Sequence, residues 1–130
     1  MAAPIHPYLV HFPVAFLFLE ALLILMWRLK GNEQYEAFSY LVMKLALISF
    51  PFVMLAGYID AGGIPDRVRG HFLSAVFLAA LTAARFFLRR THKIGLWQGN
   101  MKGFAALLMV LSVLLTGLTA HLGGAIAYNF

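Results

Sequence analysis

Four long runs of apolar residues alternate with short polar connections along the whole chain. The runs cover residues 8–27, 38–59, 71–88 and 104–128. Each is close to the roughly 20 residues that an α-helix needs to cross a bilayer. None shows the one-sided stripe of a soluble amphipathic helix, and all are too long for buried strands. The first run lacks a basic leader and a small-residue cleavage site, so it reads as a span and not as a removable signal peptide.

The connections are equally plain. Residues 27–37 (WRLKGNEQYEA), 60–70 (DAGGIPDRVRG) and 89–102 (RRTHKIGLWQGNMK) hold the glycine, proline and charged positions that end helices and make loops. Links this short leave neighbouring helices antiparallel. The expected fold is all-α: a single transmembrane domain over 1–130, forming an integral membrane four-helix bundle that runs up-down-up-down.

Composition agrees with a membrane setting. Only 12% of the residues are charged and 62% are hydrophobic, whereas a soluble domain carries about a quarter charged. The few charges are unevenly placed. Arg28, Lys30, Lys44, Arg85, Arg89, Arg90, Lys93 and Lys102 fall on the side of the first and third connections, against Arg67 and Arg69 on the other. Basic residues in short loops mark the cytoplasmic face, so both termini and the 60–70 connection are expected on the outer, periplasmic side. The net charge of +5 then reads as topology and contact with anionic lipid, and implies no nucleic-acid partner.

On that layout four of the five histidines, His6, His11, His71 and His121, reach the same side of the membrane. At 1.5 Å per residue, His11, His71 and His121 fall within about one or two turns of the outer interface, with His6 slightly higher. Imidazoles at such a depth are costly and point to a ligand role; the competing reading makes them interfacial anchors. His6 and His11 stand about 140° apart around a helix and need not share one ligand sphere. His92, in the basic inner connection, is expected to be a solvated loop residue.

Cysteine is absent, which excludes disulfides, iron–sulfur clusters and thiolate zinc sites. Sites built from imidazole alone suit haem iron, copper or zinc. Haem b fits best, with one or two histidines from facing helices and an apolar slot. Phe12, Phe72, Gly117, Ala120, Gly123 and Gly124 are candidates for such a slot, although small residues also serve plain helix packing. Arg67 and Arg69 stand where propionates would emerge, and Asp60 and Asp66 are the carboxylates available to support the imidazoles. Deeper in the first helix, Glu20 is expected to be protonated or paired with Lys44, with a proton relay towards the histidines as the bolder reading. No nucleophile elbow, phosphate loop or carboxylate pair appears, so a stand-alone enzyme is not expected.

The segment Ile5-His6-Pro7-Tyr8-Leu9-Val10-His11-Phe12-Pro13 is joined, in order, by Gly57…Asp60, Gly70-His71 and Ala120-His121-Leu122-Gly123-Gly124. Together these resemble DUF2231, a family of small bacterial membrane proteins, over nearly the whole chain. The resemblance implies a four-helix domain of the bacterial inner membrane and a role in redox chemistry. Taken with the histidines, it leads to the expectation of a b-type cytochrome-like electron-transfer subunit carrying one or two haem b groups. His11 and His71 are the first choice of axial ligands, and His6 and His121 the second pair or alternates. The expected partners are a periplasmic cytochrome c, a quinol, or a larger respiratory-type membrane complex, with a homodimer as another arrangement. The alternatives are a structural subunit and a histidine-based copper, zinc or iron protein.

Overall fold

The computed structural model describes residues 3–92 and 102–128. It consists of α1 (His6–Leu9), α2 (His11–Lys30), α3 (Glu33–Ala61), α4 (Asp66–His92) and α5 (Lys102–Tyr128). Four segments are long and apolar enough to cross a membrane: His6–Lys30, Glu33–Ala61, Asp66–Thr91 and Lys102–Ile126. No strand occurs among the described residues. α2 packs on α3, α3 on α4, α4 on α5, and α5 closes back on α2, while α1 lies against α3. The result is an up-down-up-down ring of helices.

Local chemistry explains where α2 and α3 stop. Gly31 adopts φ 70° and returns its N–H to the Trp27 carbonyl at 2.7 Å, a left-handed ending that glycine makes without a Cβ penalty. Asn32 then caps α3, its Oδ1 accepting from the Gln34 N–H at 2.9 Å. Glu33 and Glu36 follow in the first turn, where the helix dipole favours negative charge. At the far end, Gly62 and Gly63 have φ 68° and 114° and turn the chain back within a few residues.

Two departures from the expected pattern have clear causes. The 60–70 connection is largely helical: α3 continues to Ala61 and α4 begins at Asp66. Pro65 precedes that start, and Asp66 pairs with Arg69 one turn on at 2.6 Å, so the polar residues support the first turn of α4. The opening of the chain is broken at Val10, between α1 and α2. Pro13 lacks the N–H that would have bonded to the Leu9 carbonyl, and the ladder fails there. Of the 89–102 connection, the part up to His92 completes α4, and residues 93–101 lie outside the described residues.

The interior has two apolar layers. Leu17, Ala46, Phe50 and Leu78 form one, backed by Phe16, Ala79 and Leu115. Ile24, Trp27, Ala105 and Met109 form the other, backed by Ala21, Tyr35 and Leu88. Large apolar side chains are more common outside than inside; Phe52 and Phe77 are each 67% exposed. Helices apolar all round are what a bilayer requires, and this outer surface is the lipid-facing one. What remains polar inside is concentrated in two places.

Candidate functional site

The first polar place lies where the start of α1, the end of α3, the start of α4 and the end of α5 meet. The Asp60 Oδ2 accepts the His6 backbone N–H at 2.7 Å and pins α1 to the end of α3. The His6 ring then lies flat over Gly57. A Cβ there would stand 2.8 Å from its Nδ1, so only glycine leaves the ring its place. His71 repeats the arrangement on the other hairpin. A Cβ at Gly123 would stand 2.9 Å from the His71 Cε1.

Each ring is fixed by a backbone carbonyl. His6 Nδ1 is 2.9 Å from the Val53 oxygen and His71 Nδ1 is 3.0 Å from the Thr119 oxygen. A carbonyl can only accept, so each Nδ1 carries a proton, and each ring turns its Nε2 away from the backbone that holds it. Those two nitrogens face one another at 3.5 Å. The ring centroids are 5.7 Å apart with planes at 78°. That separation exceeds the nitrogen–nitrogen distance by nearly the two ring radii, so the two Nε2 atoms point at each other along one line. Aligned in this way, they can share one proton or one cation.

The imidazole that faces His71 is thus that of His6. His11 and His121 belong to the same end of the bundle but are exposed on α2 and α5. The four histidines do not converge on one point: among the described residues no three His or carboxylate side chains are grouped to hold a metal ion. The expected carboxylate support for the rings is replaced by the Val53 and Thr119 carbonyls; Asp60 holds the backbone of His6, and Asp66 holds Arg69. A cleft of about 340 Å³ opens beside His71, lined also by Arg67, Gly70, Leu122, Ala125 and Ile126. Of the supposed slot residues, Gly123 touches a ring, whereas a Cβ at Gly117 would meet open space. Phe12 is 54% exposed.

The second polar place is near the opposite end, and its partners are not those expected. Glu20, fully buried, takes hydrogen bonds on Oε1 from Arg85 Nη2 and, at 3.4 Å, from Arg89 Nη1. Arg89 Nη2 also reaches Glu36 Oε1 at 2.7 Å and Ser39 Oγ at 2.9 Å. Arg85 Nη1 donates to Ser112 Oγ at 3.2 Å. Lys44 takes no part. Its ammonium sits 4.9 Å above the Tyr40 ring, which Arg89 also approaches at 5.1 Å and which stacks on Phe86. Both arginines are 4% exposed. They are interior charges balanced by two carboxylates and not interfacial markers. A readable signal did exist: Arg85 and Arg89 are four apart, on the face of α4 that also carries Ser74, Leu78 and Thr82.

The family model described as "Predicted membrane protein (DUF2231)" matches residues 2–130. No curated protein and no solved structure matches the chain.

Proposed function

The chain belongs to the DUF2231 family of predicted membrane proteins, and on that footing we propose that it is a b-type cytochrome-like electron-transfer subunit that binds haem iron between His6 and His71. The observation that carries the reading is the pair of opposed Nε2 atoms at 3.5 Å. An ion bonded to imidazole nitrogens at about 2.0–2.1 Å on either side holds them about 4 Å apart. The pair therefore needs to part by only roughly half an ångström.

The shortage of further ligands favours haem over a bare ion. Zinc in proteins is almost always four-coordinate and draws at least three ligands from the chain, and no group of three is present among the described residues. Iron in a porphyrin has four of its positions filled by the macrocycle and asks the chain for two at most. Gly57 and Gly123 hold the rings close to the helix backbones, and the carbonyls of Val53 and Thr119 fix their tautomer and orientation. Arg67, on the cleft beside His71, is the residue placed to meet a propionate. Arg69 is already engaged with Asp66. Held by both His6 and His71, a haem iron would keep no open coordination position, which would suit electron transfer and disfavour oxygen chemistry.

The protein is a multi-pass membrane protein, and the excess of lysine and arginine at the opposite end favours an outward-facing histidine pair. Its electron partners on this reading are a periplasmic cytochrome c, a quinol, or a larger membrane complex. A dithionite-reduced minus air-oxidised spectrum of the detergent-purified protein tests it directly. A sharp b-type α band is expected in the wild type and in His11→Ala. It should vanish in His6→Ala and His71→Ala, while all three variants still insert in the membrane. Haem retained by both of the latter sinks the assignment, and a colourless wild type that carries stoichiometric copper or zinc moves the site to a bare ion.

A further inference from the structure

A line of buried hydroxyls lies between the two polar places. Ser112, Thr116 and Thr119 follow one another on one face of α5 at spacings of four and three, and each is buried. The first accepts from Arg85, and the last offers its carbonyl to His71. Between them, Thr116 Oγ1 bonds to the Ser112 carbonyl at 2.7 Å. Antiparallel register carries the pattern onto α4: with Arg85 opposite Ser112, Thr82 comes opposite Thr116, and Thr82 is also fully buried.

At its lower end this line meets Glu20 through Arg85, then Glu36 through Arg89. The Glu36 side chain is 17% exposed, and so reaches the edge of the bundle. At its upper end it meets His71, then His6. From Arg89 to His71 the rise along α4 is about 27 Å, close to the roughly 30 Å thickness of the hydrocarbon core. One further observation marks the line as more than packing. Glu20 Oε2 is fully buried and has no hydrogen-bond partner among the described residues, which is an open acceptor at the foot of the hydroxyl column.

We infer that this column is a proton lane, running from Glu36 and Glu20 along the hydroxyls of Ser112, Thr116, Thr82 and Thr119 to the His71–His6 pair. A proton taken up at Glu36 passes to the Glu20 carboxylate, and leaves it along the hydroxyls to the opposite face; no bond is made or lost overall. Each hydroxyl donates to a carbonyl of its own helix; Ser112 Oγ also accepts from Arg85, while Thr82, Thr116 and Thr119 keep lone pairs to accept with. A step of one helical turn, about 5.4 Å, is a gap that a single water spans. The carboxylate–guanidinium pairs across the foot of the lane obstruct other ions, because only a proton can cross by binding to a carboxylate and leaving it again. The lane ends beside the imidazoles, at Thr119, whose carbonyl accepts from His71, and neither ring has to take up the proton.

The test uses the full-length protein in vesicles containing a trapped pH dye, with a potassium gradient and valinomycin setting the interior negative. Wild-type vesicles should acidify faster than protein-free vesicles. Glu20→Gln should remove the difference, and Thr116→Val, which keeps the side-chain shape and deletes the hydroxyl, should slow proton entry about tenfold. Thr91→Val, an exposed hydroxyl on α4, should leave the rate unchanged. Wild-type entry no faster than in protein-free vesicles overturns the inference, as does a Thr116→Val rate equal to the wild type. Should Glu20→Gln fail to accumulate, Thr116→Val decides alone. A spectrum of the same preparation reports on haem separately.

Discussion

Glu20 shows how much depends on one buried charge. Two guanidiniums converge on its single Oε1; without it, Arg85 and Arg89 stand together with only Glu36 to balance them. Removing one partner of a buried ion pair leaves an uncompensated charge and costs about 3–5 kcal/mol. Glu20→Ala should therefore lower the Tm in detergent by many degrees, whereas Lys44→Ala, which removes only a cation over an aromatic ring, should shift it slightly. Thermal unfolding of the two variants side by side measures the difference; equal shifts would mean that the interior pairs are not what holds α2 to α4. At this scale the sequence was only half legible. The cost of a carboxylate mid-span was evident, and so was its need for a partner. The identity of that partner depends on which face of α4 turns inwards, and arginines counted as interfacial hide that face. The histidines teach the same lesson: their residue type and common depth could be read, but not that His6 and not His11 faces His71, because that choice is made by contacts from α3, the Asp60 carboxylate and the Val53 carbonyl, that hold His6 in place.

At the scale of the element, the informative contacts are between a ring and a helix backbone. Gly57 on α3 and Gly123 on α5 each yield the space of a Cβ to an imidazole from the neighbouring helix. An added methyl forces the ring or the helix aside, and overpacking of this kind costs about 1–3 kcal/mol. Gly57→Ala and Gly123→Ala should lose the opposed pair, and with it any haem or metal bound there, while the helical content by circular dichroism stays that of the wild type. Gly117→Ala, with nothing within 4 Å of the new Cβ, serves as the control and should behave as the wild type. Unchanged binding in both ring-facing variants would show that the rings are free to settle elsewhere. The existence and number of the spans were legible from hydropathy alone, since a bilayer leaves few choices. Their ends were less so. Asp66–Arg69 reads as loop by composition and folds as the first turn of α4, because a salt bridge and an acidic first turn suit a helix start as well as a turn.

For the whole molecule, the arrangement of helices into a closed ring followed from short connections, which force neighbours to run antiparallel. What that argument could not supply is the diagonal contact. α2 and α4 are not neighbours in the ring, yet Glu20 reaches across to Arg85 and Arg89. The register that makes this possible is a property of the packed interior, where Leu17, Ala46, Phe50 and Leu78 interlock, and no periodicity in a single helix encodes it. The same register aligns the hydroxyls of α5 with those of α4, so the ion cluster and the column above it come from one packing arrangement.

The ion cluster also divides the chain into complementary halves. Both carboxylates, Glu20 and Glu36, lie before the Gly62–Gly63 turn, and both guanidiniums, Arg85 and Arg89, lie after it. His6 and His71 are divided in the same way. During biogenesis each hairpin enters the bilayer carrying charges that nothing in that hairpin neutralises, and the energetic penalty ends only when the two halves dock. The histidine pair comes into being at that same moment. Two fragments, 1–62 and 63–130, should therefore recognise one another when synthesised separately and co-purify at one to one, and Glu20→Ala in the first should weaken their recovery. Fragments that never associate would mean that the covalent link, and not this charge matching, brings the hairpins together.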